Sequence, residues 1–345
     1  MEALCFQIGF FSSNYGNTAI TYSVFKHSKR IALLITDPAS LRNHCMNFSS
    51  KNIKTVLSFL VIICQISFIA KGQDTLKLLE TSAVFEDLNN KPKPYRFITN
   101  IPDDLKQIFC SPFKKEHMTG FLITVAATSV LIPFDQQIAN GLKQFCRQIH
   151  LYSQTDFAVP LKIGKAKIIR IPRNLNSGLY QLGEGGTSMI LATGLFVYGK
   201  LAHDKKSVGV ALDLTETFIT MGLSTQIIKR ITGRESPFRA TADGGIWRPL
   251  PSFKAYQTNT SRYDAFPSGH LATMMATVTT LTLNYPQKKW IKPVGYSIIG
   301  LTGLAMINTD VHWISDYPLA LALGYIASRI TFYKNHRGKK GFSKI

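Results

Sequence analysis

Apolar segments with the length of helices alternate with short polar segments along most of the chain. The segments whose pattern predicts helices are residues 118–134, 141–150, 187–201, 208–228, 271–283, 294–307 and 314–332. Their interiors are rich in Gly, Ala, Ser and Thr, small residues that let helices approach each other closely. Residues 161–172 alternate in part between apolar and polar positions and are left unassigned between helix and strand. This pattern predicts an all-α fold, a compact helical bundle.

The segment that begins at Met46 has the pattern of a secretory signal peptide. A short basic stretch precedes an apolar run of roughly 15 residues and a small-residue exit. The run is short for a membrane span, which needs about 20 residues. We therefore predict a signal peptide over residues 46–73, preceded in residues 1–45 by an upstream extension that is not native. A buried apolar helix is the alternative interpretation of this run.

The chain after residue 73 divides by composition into three parts. Residues 74–114 are polar and contain several prolines, which predicts a loosely structured lead-in. Residues 115–332 hold the predicted helical domain, and residues 333–345 form a basic tail.

Two of the five cysteines, Cys110 and Cys146, lie after the predicted signal peptide. In an exported chain this pair is a candidate disulfide, and two free core thiols are the alternative. The cysteines and histidines do not have the spacing of a metal site. We therefore predict no metal and no other cofactor.

The chain is strongly basic, with a formal net charge of +20. Such a balance favours anionic partners. The basic residues are spread along the sequence rather than arranged as a nucleic-acid-binding stripe, so we expect no nucleic acid partner. The expected partners are a phosphorylated lipid or a small phosphate substrate, and an anionic membrane surface.

Two features of the sequence conflict on membrane insertion. Lys205, Lys288 and the basic tail would fall on one side of a membrane and the polar segments on the other, in agreement with the positive-inside rule. Asp213 and Glu216 lie inside one apolar segment, where burial of a carboxylate in lipid is costly. An exported, periplasmic soluble domain and a membrane-associated protein, with its site facing away from the cytoplasm, both remain as predictions.

Three polar segments between the predicted helices carry groups suited to phosphate chemistry. They are the first segment (Lys229–Pro237), the second segment (Phe266–His270) and the third segment (Asp310–Asp316). Each adjoins the end of a predicted helix, and a helix N-terminus offers free N–H groups and partial positive charge to an anion. Together they favour a phosphoryl-transfer site.

In the second segment, Ser268 and Gly269 stand just before a predicted helix. Gly269 lets the backbone approach an oxyanion closely, and Ser268 adds a side-chain donor. His270 is placed to give a proton to a departing oxygen. An ordinary turn with a serine N-cap is the alternative.

The third and first segments supply a candidate nucleophile and positive charge. His312 and Asp316 are four residues apart and share one face of a helix that starts there. A carboxylate bonded to one ring nitrogen fixes the tautomer and makes the other nitrogen more nucleophilic. In the first segment, Lys229 offers a point charge and Arg234 a planar fork to a phosphate. The alternatives are a buried histidine with a satisfied N–H and a solvated helix end.

In order and spacing, the three segments resemble the signature of the type 2 phosphatidic acid phosphatase superfamily. This superfamily includes lipid phosphate phosphatases, bacterial acid phosphatases and vanadium haloperoxidases. The resemblance covers about residues 115–332 and implies about six core helices whose catalytic loops meet at one end. It implies that His312 attacks phosphorus, that Asp316 orients it, and that His270 protonates the leaving alcohol. Lys229 and the amides of Ser268 and Gly269 would hold the phosphate, and no metal is needed.

Two positions depart from this signature. The family has arginines where this chain has Ser236 and Met306, and both arginines hold phosphate oxygens. A charge-assisted hydrogen bond is typically worth about 1.5–3 kcal/mol, so a pocket without them is weakened. Arg239 and Arg262 are candidate substitutes, and Arg234 is the first choice.

The predicted function is hydrolysis of a phosphomonoester through a phosphohistidine intermediate, with a lipid such as phosphatidic acid or a polyprenyl phosphate as the favoured substrate. One alternative is a soluble exported non-specific acid phosphatase. A second is a catalytically weakened phosphate-binding protein on the same fold, which Ser236 and Met306 motivate. A vanadate-dependent peroxidase is disfavoured because the missing arginines would weaken vanadate retention.

Overall fold

The computed structural model describes residues 22–27, 30–35, 95–163 and 166–337. The first two ranges form an antiparallel hairpin of β1 (Tyr22–His27) and β2 (Arg30–Ile35), which belongs to a unit separate from residues 80–345. The predicted signal peptide, residues 46–73, lies outside the described residues.

The rest of the described chain is predominantly helical, which confirms the predicted all-α class. Single 3₁₀ turns lie at 111–113, 132–134, 237–239, 260–262 and 314–316, and the strands after residue 95 are β3 (Phe157–Ile163) and β4 (Ala166–Pro172). In chain order the helices are α1 (Arg96–Thr99), α2 (Ile101–Cys110), α3 (Lys115–Leu131), α4 (Asp135–Gln148), α5 (Leu175–Gly183), α6 (Gly185–Leu201), α7 (Lys205–Thr232), α8 (Phe253–Thr258), α9 (Gly269–Asn284), α10 (Ile291–Asn308) and α11 (Tyr317–Arg337).

The core lies between α7, α9, α10 and α11, with α5 and α6 packed against it. Small residues on α9 and α11, including Ala272, Ala276 and Ala320, are buried there. Because these side chains are short, the helix backbones approach closely. A Cβ atom added at Gly324 would lie 2.3 Å from the carbonyl oxygen of Ala272. The abundance of small residues in the apolar segments therefore corresponds to tight α9–α11 packing.

The segment left unassigned, residues 161–172, is extended. It belongs to an antiparallel hairpin in which Phe157 pairs with Pro172 and Ile163 with Ala166. The register shifts between Ala158 and Lys162, and this irregularity explains why the alternation in the sequence is only partial.

The expectation of a loosely structured lead-in is wrong for residues 96–110, which form α1 and α2. Polar contacts hold these helices, and Ile108 of α2 is also buried in the apolar core. Arg96 donates to the buried carboxylate of Asp213 at 2.7 Å, and the Asn100 amide donates to Glu216 at 2.8 Å. The two carboxylates that argued against membrane insertion are therefore paired with partners inside the protein.

Cys110 and Cys146 are both free thiols, Cys110 exposed and Cys146 buried. Of the two interpretations of this pair, the structure therefore favours free thiols.

One helical stretch of the described residues, Lys115–Gln148, is long and apolar enough to cross a membrane, with a mean hydropathy of 1.6 over its best window. None of that window is buried. The exposed apolar side chains of α3 include Leu122, Ile123 and Val130.

We predict that Gly324→Ala destabilises the protein by about 1–3 kcal/mol, because the added methyl group meets backbone atoms that cannot move aside. Gly300→Ala on α10 is the matched control, since no atom lies within 4 Å of its added Cβ. Thermal unfolding of the purified proteins measures both. Equal midpoints for the two variants would contradict the close α9–α11 packing.

Candidate active site

The three polar segments meet at one end of the bundle. The first segment follows from the C-terminal turn of α7, the second leads into α9, and the third leads into α11. The rings of His270 and His312 lie with their centroids 5.7 Å apart and their planes at 70°. Two histidines 42 positions apart in sequence are thus brought into edge-to-face proximity.

The second segment places its backbone amides beside Lys229. Ser268 is the N-cap of α9, and its Oγ accepts a hydrogen bond from the N–H of Leu271 at 3.4 Å. A Cβ atom added at Gly269 would lie 3.8 Å from Nζ of Lys229. This ammonium is almost fully buried and lies 3.8 Å from the carboxylate of Asp264. A helix N-terminus and a buried cation therefore face the same space, which suits an anion.

The orientation of His312 differs from the sequence prediction. Its Nδ1 lies 2.8 Å from the carbonyl oxygen of Ala265 and 3.4 Å from Oδ2 of Asp316. Because a carbonyl oxygen only accepts, Nδ1 carries the proton and donates it to Ala265. The other nitrogen, Nε2, then holds the lone pair. This is the tautomer predicted for a nucleophile. The carbonyl of Ala265, which is nearer to Nδ1 than the carboxylate of Asp316 is, fixes it.

Electrostatics keep His312 neutral. Burial is the main cause that lowers its pKa to about 3, and the charge of Lys229 adds to it. Across the neutral range the imidazole therefore retains its lone pair.

Asp316 organises the loop more than it orients the ring. Its Oδ1 accepts from Nη1 of Arg234 at 2.7 Å, and its Oδ2 accepts from the backbone N–H of Trp313 at 2.8 Å. Burial raises the pKa of Asp316 to about 6, although the charge of Arg234 acts in the opposite direction. The carboxylate thus fixes the backbone beside the histidine.

Arg234 was the first choice as a phosphate ligand, and the structure places it elsewhere. Its side chain is fully buried. Nη1 donates to Ser315 Oγ at 2.6 Å and to Asp316, while Nη2 donates to Asp135 Oδ2 at 2.5 Å and to the carbonyl of Gly244 at 2.7 Å. All four terminal N–H groups are therefore engaged by the protein.

The other candidate substitutes for the missing arginines are not buried near the histidines either. Arg239 and Arg262 are exposed, and Met306 is fully buried in the apolar core. The cation that the described residues do place against the second segment is Lys229.

Several residues of the site were not predicted from the sequence. Asp135 begins α4 and reaches Arg234 from 99 positions away. Tyr180 and Gly183 of α5 contact His270: the Tyr180 ring lies 4.8 Å from the His270 ring, and a Cβ added at Gly183 would lie 2.8 Å from Cβ of His270. No local pattern marks these residues, because their role depends on which helix packs behind the histidine.

The fold and the facing histidines define an all-α protein with a candidate phosphoryl-transfer site at one end of its bundle. Residues 210–339 match the family model described as the PAP2 superfamily. The matched region contains all three polar segments, in agreement with the resemblance that they carry.

Two individual proteins are similar to this chain over different extents. The lipid A 1-phosphatase of Porphyromonas gingivalis is 29% identical over 83 residues, which cover 24% of this chain and 19% of that protein. The chain thus matches about a fifth of this relative's length. A transmembrane PAP2-type phosphatidylglycerolphosphate phosphatase of Bacillus subtilis is 18% identical, with a TM-score of 0.38, over 65% of this chain and 97% of that one.

We predict that Gly183→Ala displaces the His270 ring and lowers hydrolysis of p-nitrophenyl phosphate by about 100-fold, since misplacement of a reacting group by about 1 Å has that cost. Gly178→Ala in the same helix is the control, because its added Cβ would lie 4.0 Å from its nearest neighbour, Pro172. Steady-state kinetics of the two variants, with circular dichroism to verify folding, provide the test. Similar kinetic constants in both would show that α5 does not position His270.

Proposed function

We propose that this protein is a phosphatase that hydrolyses a phosphomonoester through a phosphohistidine on His312. The observation that carries the proposal is the pair of facing imidazoles, His270 and His312, beside the buried ammonium of Lys229. The match of residues 210–339 to the PAP2 superfamily model and the name of the Porphyromonas relative support it.

In the first step, Nε2 of His312 attacks phosphorus and the bond from phosphorus to the leaving oxygen breaks. His270 gives its proton to that oxygen, which departs as an alcohol. In the second step a water molecule attacks phosphorus, the bond from phosphorus to Nε2 of His312 breaks, and His270, now neutral, accepts a proton from that water. Inorganic phosphate is released and both histidines return to their starting states.

Lys229 and the amides of Ser268 and Gly269 hold the phosphoryl oxygens in this scheme. A fixed cation and backbone donors that need no rearrangement stabilise charge as it develops in the transition state. The family signature has two arginines beside this lysine, and here Ser236 and Met306 replace them. Lys229 therefore provides a larger share of the positive charge that stabilises the transition state.

We propose a lipid phosphate as substrate and a membrane-associated enzyme. The support is the exposed apolar surface of α3 together with that of α6, where Ile190 is 74% and Leu201 78% exposed. Exposed apolar patches on this scale mark contacts with lipid or another protein. The site would face away from the cytoplasm, since Lys205 and Lys288 lie at the helix ends opposite the polar segments.

A second candidate function is phosphate binding with little or no turnover. It is favoured by the engagement of Arg234 in ion pairs, which removes the first candidate substitute for the missing arginines. A soluble acid phosphatase is the remaining alternative. Comparing phosphate release from phosphatidic acid with release from p-nitrophenyl phosphate separates it from a lipid phosphatase.

We predict that His312→Ala abolishes turnover and the covalent intermediate together. Rapid acid-free quenching of a reaction with ³²P-labelled substrate should leave label on the wild type but not on this variant. His117→Ala, in the first turn of α3, is the control and should retain both. Full turnover by His312→Ala would exclude the nucleophile, and tight phosphate binding without any label in the wild type would favour the second candidate.

We predict that kcat/KM falls as the pH rises from acidic values towards neutral, because His270 must be protonated to act as an acid. Burial, His312 and Lys229 together hold the pKa of His270 well below its ordinary value of 6.5. The protonated fraction is therefore lost as the pH rises through that lowered value.

His270→Ala is the matching variant for this pH dependence. It should be slower by about 10²–10⁴-fold and retain only the dependence of the substrate phosphate, whose second pKa is about 6. Profiles of the same shape for the two proteins would argue against His270 as the acid.

A further inference from the structure

The ammonium of Lys229 already has an anionic partner within the protein. Its Nζ lies 3.8 Å from Oδ2 of Asp264, a residue that no step of the proposed mechanism uses. The side chain of Lys229 is 8% exposed and that of Asp264 is 29% exposed. The carboxylate is therefore the partner more open to solvent in this pair.

The backbone fixes Asp264 beside the candidate nucleophile. Arg234 and Asp264 form an isolated parallel bridge, in which the N–H of Ala265 donates to the carbonyl of Arg234 at 3.0 Å. The carbonyl of Ala265 accepts the hydrogen bond from Nδ1 of His312 at 2.8 Å. The charge of Asp264 reaches the same imidazole, where it opposes the lowering of the pKa by burial and by Lys229. Asp264 therefore belongs to the site through its backbone as well as through its carboxylate.

The charged groups of the site are paired with one another before any substrate binds. Arg234 is bound by the carboxylates of Asp135 and Asp316, and Lys229 lies beside that of Asp264. Carboxylates outnumber cations within this set. The N-terminus of α9 adds a partial positive charge. These ion-paired groups therefore offer an incoming anion no excess positive charge.

A phosphoryl group bound at Lys229 would lie close to Asp264. An oxygen that accepts a charge-assisted hydrogen bond from Nζ lies about 2.8 Å from it, and so within about 7 Å of Oδ2 of Asp264. At this distance, in a partly exposed site, repulsion of a second negative charge lowers the affinity by on the order of tenfold. A phosphate ester is singly charged below its second pKa of about 6 and doubly charged above it.

We propose that Asp264 is a specificity-determining residue, and that its carboxylate makes the site select the singly charged form of the phosphate ester. The inference rests on the proposed phosphatase function and specifies the charge of its substrate. Lys229 and the N-terminus of α9 match one negative charge on the phosphoryl group, while Asp264 repels a second. A singly charged ester with a neutral His270 holds as many protons as a doubly charged ester with a protonated His270, so the proton balance of the proposed mechanism is unchanged.

Two tetrahedral anions of fixed charge test this selection. Near neutral pH sulfate is doubly charged and methanesulfonate is singly charged, and neither is a substrate. We expect methanesulfonate to bind the full-length protein at least as tightly as sulfate does, both in isothermal titration and in inhibition of p-nitrophenyl phosphate hydrolysis. A site with excess positive charge would instead bind sulfate about tenfold more tightly, and that result would overturn the inference.

Asp264→Asn removes the charge and keeps the shape of the side chain. In this variant we expect sulfate to gain about tenfold in affinity relative to methanesulfonate. Asp264→Glu retains the charge and should keep the wild-type ratio. An unchanged ratio in Asp264→Asn would overturn the inference, including a result in which both affinities fall equally because Lys229 has lost its proton.

Asp103→Asn is the matched control for loss of a carboxylate. Asp103 pairs with Lys334, which lies about 25 Å along α11 from Tyr317, the residue that begins this helix beside the site. This variant should keep the wild-type ratio of the two affinities. A gain in sulfate affinity equal to that of Asp264→Asn would show that net charge, rather than Asp264, sets the ratio, and would overturn the inference.

Failure of this inference and failure of the proposed function give different results. A wild type that hydrolyses phosphate esters but binds sulfate about tenfold more tightly than methanesulfonate would overturn the role of Asp264 alone. A wild type that hydrolyses no phosphate ester and binds neither anion would overturn the proposed function, and this inference with it. The wild-type comparison requires no substitution, so it decides the inference even if Asp264→Asn does not fold.

Discussion

The candidate site depends on one buried guanidinium. Arg234 follows α7 in the sequence and is bound by Asp135 at the start of α4 and by Asp316 before α11, with both side-chain pairs fully buried. Moving such charges out of water is costly, and recovering that cost takes good geometry and additional hydrogen bonds. Here the terminal N–H groups have four acceptors, one of them the Gly244 carbonyl. This arrangement fixes loops from four parts of the chain in one geometry.

The histidines acquire their properties from this fixed framework. Asp316, held by Arg234, also binds the backbone N–H of Trp313, and the neighbouring His312 then donates from Nδ1 to Ala265. The lone pair of Nε2 is left for chemistry, and burial next to Lys229 prevents its protonation. The same burial disfavours a proton on His270 until an anion arrives. A bound phosphate would supply that negative charge, and under the proposed mechanism its binding would favour the protonated form of His270.

The sequence predicted the helices and the convergence of the polar segments better than it predicted the partners within the site. Helix periodicity and the spacing around Lys229, His270 and His312 are local signals, so they can be recognised without knowing which distant residues pack together. The role of Arg234 is not local, because Asp135 lies 99 positions away in a segment without a motif. The prediction of a loosely structured lead-in was wrong for a related reason. The polar composition of this segment is typical of disorder, but α1 is held by a distant contact with a buried carboxylate on α7. The hairpin of β3 and β4 could not be assigned from the sequence, because its irregular register interrupts the alternation of apolar and polar positions.

The role of Arg234 is tested most directly by comparing wild type with Arg234→Met, both in denaturant unfolding and in inhibition by inorganic phosphate. If Arg234 holds the loops together, its removal leaves two buried carboxylates unpaired and lowers the free energy of unfolding by about 3–5 kcal/mol. If the arginine is instead a phosphate ligand, the variant unfolds at the same denaturant concentration as the wild type and is inhibited only by higher phosphate concentrations. We expect the loss of stability; unchanged unfolding with weaker inhibition by phosphate would show that Arg234 binds phosphate instead of holding the loops.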